Sequence, residues 1–436
     1  MVLLSCTPAL RAVVCRMSST QKIHHRVLIA GGGSGGIAVA SKLKRLMPSF
    51  DVAIIEPSDK HYYQPSFTLV GAGLYDPSQT FIPMHQAIPR DTRWIKDSVA
   101  AFDPPANKVI TATGKEVTYD YLVISMGVTL RYDLLNGALD ALKEDPRVCS
   151  NYSPEYMLKS LRAFENFKTG TAVFTFPNPP IKCAGAPLKA MYLFEDYLRR
   201  RDRQKDAKIL YFTPAKALFS VPKYAKCLSA ICDERGIKYS LGHKVIEVNH
   251  KASQVVVENV DTKETSTFKY DLLHIVPPMT PPEVLVKTAA LSDSAAPGYV
   301  TVDRATTRHI KFPNIFSIGD CSNMPTSKTA AAIASQTPVL VENLLDVLKG
   351  GAGTVAQYDG YTSCPLITGE TKGILAEFNY DLQPRETLPF DQATERWIFG
   401  YIKRFILPPL YWDGLLRGIW PGPKRLRKVI NPMGSD

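Results

Sequence analysis

Residues 26–36 read RVLIAGGGSGG. An arginine and four aliphatic residues make the pattern of a short strand buried on both faces. Gly31, Gly33 and Gly36 follow in the spacing G-x-G-x-x-G, and residues 37–47, IAVASKLKRLM, continue as a helix. Residues 51–56, DVAIIE, form a second apolar strand ending on Glu56, about twenty residues beyond the last glycine. Strand, glycine turn, helix and acid-terminated strand together make a βαβ unit that binds a dinucleotide. Gly31 permits the tight turn, Gly33 lets backbone approach the pyrophosphate, and Gly36 lets helix and strand pack closely. Ser34 and Gly35 lie between them, where the helix N-terminus favours an anion. Glu56 can accept hydrogen bonds from ribose hydroxyls, which leaves FAD and NAD undistinguished.

The chain has 436 residues, which suggests two or three domains. Its formal charge of +11 would suit nucleic acid, an anionic membrane or an anionic substrate. There is no nucleic-acid motif and no basic stripe interleaved with stacking aromatics, so no nucleic-acid partner is expected. Eight cysteines without a Cys-x-x-Cys pair make neither a disulfide scaffold nor a zinc knuckle, and no metal site is expected. The first acid is Asp51, and Arg11, Arg16 and Lys22 are spaced among small and apolar residues before it. Residues 1–22 are therefore expected to be a mitochondrial transit peptide. No apolar run reaches the roughly 18 residues of a spanning helix, so any membrane contact lies on the surface.

Downstream, 60–90 reads as an irregular excursion, 109–110 and 117–123 as antiparallel strands, and 121–125 as a further buried strand. Strands at 170–176 and 208–212 alternate with helices at 187–201 and 223–235. A hairpin follows at 244–258, and PPMTPPE at 277–283 reads as a linker. Residues 314–320, NIFSIGD, meet a turn before a helix over 329–348. In 395–407, ERWIFGYIKRFIL, the residues Ile398, Tyr401, Ile402, Phe405 and Ile406 share one helical face, and Pro408 and Pro409 are expected to break the helix. A second amphipathic piece over 411–420 and the basic KRLRK at 424–428 complete an interfacial membrane anchor.

The segment NIFSIGD resembles the second flavin fingerprint of the two-dinucleotide-binding flavoproteins, in which the aspartate, here Asp320, holds the ribityl chain. Residues 121–127 resemble their middle motif. In relatives that use pyridine nucleotides, the second domain has its own glycine turn. Here the strand GTAVFTF runs instead into PNPPIKCAGAPLK, where Pro177, Pro179, Pro180 and Cys183 replace it. Proline removes N–H donors, so a pyrophosphate cradle is poorly supported.

IKCAGAPLK around Cys183 and YDGYTSCPL around Cys364 resemble the two redox-cysteine segments of the sulfide:quinone oxidoreductases. HYYQPSFTLVGAG at 61–73, PTSKTAAAIASQ at 325–336, LPFDQ at 388–392 and LYW at 410–412 resemble that family too. The likeness runs from about residue 24 to 430 and is nearest to the animal and fungal mitochondrial branch. It implies a Cys183–Cys364 disulfide, with or without an extra bridging sulfur, beside the flavin. Hydrosulfide attacks it, Cys364 becomes the persulfide, and the Cys183 thiolate adds to the flavin. Two electrons pass to FAD and on to ubiquinone, and glutathione or sulfite removes the sulfane sulfur. Lys189 and Lys403 are implied as the supporting cations. Gln64, Val99, Gly127, Gly319, Lys328 and Ala330 are implied to join the cofactor shell. Bacterial members often carry a further cysteine that bonds the flavin. Cys149 does not match its context, so FAD is expected to be noncovalent.

The expected fold is α/β. It comprises two Rossmann-like domains of the disulfide-reductase-like flavoproteins with a C-terminal amphipathic membrane-binding segment. The FAD domain would span 24–127 and 289–350, the second domain 128–288 and the C-terminal segment 351–436. Localisation on the matrix side of the mitochondrial inner membrane is expected. The rival readings are a type II NADH:quinone oxidoreductase and a non-catalytic flavin-bound redox sensor.

Overall fold

A computed structural model describes residues 23–432, so the transit segment expected over 1–22 lies outside the described residues. The strand Ile23–Ala30 lies at the centre of the first sheet. It pairs in parallel with Val52–Ile55 on one side and Glu116–Ile124 on the other. Arg93–Ile95 extends the parallel set beyond Val52–Ile55. Ile315–Ser317 joins in parallel alongside Leu122, Val123 and Ile124, bringing a distant segment back beside the glycine turn. The outer strands Lys108–Thr111 and Val99–Asp103 add on antiparallel.

Residues 116–124 form one strand, not the two expected. Burial alternates in its first half and is continuous at its end. The sequence pattern changes there because the strand passes from a half-covered to a fully covered part of the sheet.

The second sheet is parallel throughout, in the order Val148–Cys149, Leu272–His274, Gly170–Thr175, Ala207–Thr213, Lys238–Leu241. Helices Ala186–Arg199 and Pro222–Glu234 follow its central strands. The expected hairpin gains a third strand, as His243–Asn249, Gln254–Asn259 and Thr265–Lys269 form an antiparallel sheet. The expected linker is not free chain. Met279–Thr280 pairs with Thr129–Leu130, so the exit from the first sheet and the return to it are hydrogen-bonded together.

The C-terminal part stitches both cores. Thr362–Ile367 and Gly373–Phe378 form a hairpin whose Cys364, Leu366, Ile374 and Phe378 pack into the core of the second sheet. Tyr411, Leu415 and Leu416 pack instead into the core of the first. Pro408 and Pro409 do not break the helix between them. Trp397–Tyr401, Ile402–Ile406, Leu407–Pro409 and Leu410–Leu415 run on continuously, with π-helical turns on both sides of the prolines. A widened turn accommodates the proline ring and its missing N–H, which an α-turn would not. Among the described residues, no helix is long and apolar enough to cross a membrane.

Glu377 anchors this part of the chain. Its buried carboxylate accepts from the Thr387 N–H (2.7 Å), Thr387 Oγ1 (2.8 Å), Gln392 Nε2 (2.8 Å) and the Tyr361 hydroxyl. Replacing it with alanine strands these donors, so Glu377→Ala should lower the unfolding free energy by about 3 kcal/mol, read from the urea midpoint.

Candidate active site

The glycine turn is built as its spacing requires. Gly31 has φ +103°, and a Cβ on it would stand 2.7 Å from the Ser125 carbonyl oxygen. A Cβ on Gly36 would stand 1.9 Å from the Gly31 carbonyl oxygen. Gly33 meets nothing within 4 Å, so its outer side is open. Helix Ser34–Leu46 starts there with no side-chain cap. The N–H groups of Ser34, Gly35 and Gly36, at the positive end of its dipole, thus face an anion site. Glu56 receives the Gly32 N–H on Oε2 (2.7 Å) and the Ser58 N–H on Oε1 (2.8 Å). Each oxygen keeps a lone pair for another donor.

The remaining expected cofactor residues arrive from four segments. Val99 follows the strand Arg93–Ile95, whose last residue accepts the Glu56 N–H (3.1 Å), and starts the outer strand. Gly127 (φ +68°) lies just beyond the strand Glu116–Ile124. The Gly319 N–H donates to Gln336 Oε1 (2.9 Å), which fixes the turn that carries Asp320. Burial raises the pKa of the Asp320 carboxyl, against the attraction of Lys328 and Lys182. Lys328 donates to the Ser322 carbonyl (3.0 Å), and Ala330 opens the helix Ala330–Leu348, capped by Thr329. Gln64 accepts from Lys182 Nζ (2.7 Å), tying the 61–73 segment to the cysteine loop.

Cys183 and Cys364 come into direct contact. Among the described residues both are free thiols, with Cys364 hydrogen-bonded to Cys183. Cys183 sits in the left-handed region (φ +50°), a conformation that costs about 1–3 kcal/mol for a residue with a side chain. Its N–H donates to the Lys328 carbonyl (2.7 Å), its carbonyl accepts from the Ala186 N–H (2.7 Å), and the Tyr152 hydroxyl also donates to that carbonyl (3.2 Å). The loop that replaces a second glycine turn is therefore pinned against the Asp320 turn, with its sulfur turned toward Cys364.

The two thiols are not equivalent. The hydrogen bond from Cys364 holds Cys183 well below the ordinary thiol range against the opposing effect of burial, with further help from Lys189 and Lys403. Cys364, which donates that bond from a buried position beside the Cys183 charge, is pushed well above it. Lys189 Nζ lies 3.3 Å from Cys183 Sγ. Lys403 reaches inward from the C-terminal helix to donate to the Pro65 carbonyl (2.8 Å). Both lysines are buried, at 3 % and 2 % exposure, so neither is a solvated surface charge. Burial, with Lys189 adding to it, pulls Lys403 down to about 7, opposed by the two cysteines.

Sequence reasoning missed Tyr411 and His61. His61 is buried and held to about 4, hence neutral. Its Nδ1–H donates to the Gly32 carbonyl (3.0 Å), which leaves Nε2 to accept from the Tyr411 hydroxyl (2.7 Å). Tyr411 then accepts from Ser34 Oγ (2.7 Å). This relay fastens the C-terminal helix to the glycine turn. The HYYQP and LYW segments signalled it only as likeness to relatives, because two residues 350 positions apart show no local pattern.

The depressed lysine has a thermodynamic consequence. Its folded pKa, about 7, lies below the unfolded value near 10, so the unfolded chain binds more protons between these values. The penalty from Lys403 is therefore full below about pH 7 and fades as the pH rises. Lys403→Met should raise the melting temperature more at about pH 6 than at about pH 9, measured by calorimetry.

The pyridine nucleotide-disulphide oxidoreductase family model matches residues 25–154. The mitochondrial sulfide:quinone oxidoreductase of Mus musculus is 45% identical over 413 residues, covering 94% of this chain and 91% of the relative. That of Dictyostelium discoideum is 41% identical over 410 residues, covering 94% and 89%. The X-ray structure of the sulfide:quinone oxidoreductase from Aquifex aeolicus shares the fold, with a TM-score of 0.78 at 19% identity over 94% of this chain and 95% of that one. These likenesses imply a flavin, and the open side of Gly33, the uncapped helix and the half-buried Asp320 carboxyl fit one. Matched at these identities over more than nine-tenths of its length, the chain belongs to the mitochondrial sulfide:quinone oxidoreductase family.

Proposed function

We propose that Cys183 and Cys364 are the sulfide-oxidising pair of this enzyme, and that FAD is held noncovalently on the Gly31–Gly36 turn, Glu56 and Asp320. The chain is a mitochondrial flavin-dependent sulfide:quinone oxidoreductase. The observation that carries the residue assignment is the contact between two cysteines of opposite pKa shift, with two buried lysines beside them. In this reading the FAD domain comprises 24–127 and 289–350, and the second domain between them supplies Cys183.

The pair works from its oxidised, bridged form. Hydrosulfide attacks Cys364 Sγ, the bridge breaks, and its electron pair leaves on Cys183, the sulfur whose thiolate is stabilised. Lys189 and Lys403 hold that negative charge and attract the incoming anion. Cys364 then carries the sulfane sulfur until glutathione or sulfite takes it. A bound FAD supplies the two-electron acceptor for the cysteine pair and the donor for ubiquinone. Cys149, the candidate for a covalent flavin link, is fully buried in the second sheet and pushed up to about 12 by burial, which supports noncovalent binding. The NADH-dependent rival is not favoured, since Pro177, Pro179, Pro180 and Cys183 fill the loop where a second glycine turn would stand.

Docking on the matrix face of the mitochondrial inner membrane is part of the proposal. It is supported by Trp397, Tyr401 and Phe405, which stand four residues apart on the C-terminal helix and are exposed, with Trp397 at 66 %. Lys403, on the opposite side, points inward to the Pro65 carbonyl, within electrostatic reach of both cysteines. One helix would thus present aromatics to lipid and a cation to the reaction centre.

The activity is tested by anaerobic addition of sulfide while flavin absorbance is recorded. Wild type should bleach and recover with a short-chain quinone, and Cys183→Ser and Cys364→Ser should each lose bleaching by at least about a hundredfold in rate. Bleaching with NADH but not sulfide would overturn the assignment. Gly36→Ala, which drives a methyl into the Gly31 carbonyl, should leave the purified protein with a much lower flavin-to-protein absorbance ratio. Replacing Trp397 and Phe405 together with serine should weaken cosedimentation with neutral vesicles by about tenfold or more.

A further inference from the structure

Beyond the C-terminal helix, the turn after Leu415 lies against helix Ser34–Leu46, with the Ser41 hydroxyl donating to the Leu416 carbonyl (2.7 Å). Between them and the loop after Pro89 is an open concavity of about 350 Å³. Lys44, Arg45, Arg90 and Arg417 line it, against the single carboxylate of Asp91. Among the described residues, no salt bridge joins any of these four cations to an acid. Two are instead aimed by backbone carbonyls: Lys44 Nζ donates to Phe50 (2.9 Å) and Arg417 Nη1 to Gln86 (3.4 Å). Lys42, on the same helix, is within electrostatic reach of Arg45 and Arg425 as well as Glu342, so the positive field extends past the rim.

Four cations around a concavity with one carboxylate make a site for a multiply charged oxyanion. Its surroundings say which one. Leu46 follows Arg45 and Ile419 lies two residues beyond Arg417, and each is 54 % exposed. The rim continues along the chain into the helix that carries Trp397, Tyr401 and Phe405. A soluble phosphate compound has no use for exposed aliphatic groups beside its charge, whereas a phospholipid places acyl chains directly beside its phosphate.

We propose that this concavity binds the phosphate headgroup of an anionic phospholipid, with Arg45, Arg90 and Arg417 on the phosphate and the acyl chains beside Leu46 and Ile419. The site gives the enzyme a fixed orientation on the bilayer and a preference for anionic lipid. The inference rests on the membrane-docking reading above, which concerns the aromatic ridge.

The test uses the flavin-loaded full chain and cosedimentation with two kinds of vesicle, phosphatidylcholine alone and phosphatidylcholine mixed with phosphatidylglycerol. Wild type is compared with Arg90→Gln/Arg417→Gln and with Lys205→Gln/Lys251→Gln, which removes equal charge from exposed positions on the second domain. Wild type should prefer the anionic vesicles. The pocket variant should lose about tenfold of that preference, while the control loses little and binding to neutral vesicles is the same for all three. Equal losses in the two variants would overturn the pocket and leave docking intact, because only diffuse charge would then be at work. Failure of every protein to bind either vesicle would overturn the docking reading itself. Binding of inorganic phosphate that is lost in the pocket variant, while that variant keeps the wild-type preference for anionic vesicles, would identify a free-phosphate site and contradict the lipid assignment.

Discussion

A thiolate inside a protein is stable only with a cation or a donor at contact distance, and the rest of this structure is arranged around that requirement. Cys183 has both, a hydrogen bond from Cys364 and the ammonium group of Lys189 at 3.3 Å. The cations are costly in turn. Lys403 is nearly sealed from water, and burying an ammonium group favours its neutral form. The site thus trades stability for a poised sulfur, and the drop of Lys403 to about 7 shows the strain on one member.

The fold explains how such a cluster can be assembled from distant parts of the chain. Cys183 comes from the loop that replaces a second glycine turn and Cys364 from a C-terminal strand. Lys189 comes from the first turns of helix Ala186–Arg199, and Lys403 from a helix reaching back across both cores. The Asp320 turn is drawn in when the Lys328 carbonyl receives the Cys183 N–H. The segment proposed to hold the flavin chain and the loop of the proposed sulfide-reacting pair are thus tied by one backbone hydrogen bond. On the outer side of the same C-terminal helix the aromatics are exposed, so the proposed lipid contact and the proposed cation of the cysteine site belong to one element.

Much of this could be read from the sequence. The first βαβ unit was legible because its chemistry is local: glycines at fixed spacing, a strand before and an acid after. The parallel second sheet was legible from apolar runs alternating with helices. The continuity of 116–124, the pairing of 279–280 with 129–130 and the unbroken helix through Pro408 and Pro409 were not. Each depends on a partner strand or on a change of helical winding that spacing alone does not encode. The cysteine pair could be named only through resemblance, since nothing near Cys183 points to Cys364. The Ser34–Tyr411–His61 relay and the basic concavity were invisible for the same reason, being made of residues that share no segment.

In the proposed mechanism the difference between the two sulfurs decides which one hydrosulfide attacks. The most direct measurement is to add one equivalent of sulfide to the oxidised enzyme without a sulfur acceptor, quench with an alkylating reagent and locate the extra sulfur by peptide mass spectrometry. A persulfide is expected on the peptide containing Cys364, with Cys183 recovered as the leaving thiolate. A persulfide predominantly on Cys183 would contradict that mechanism.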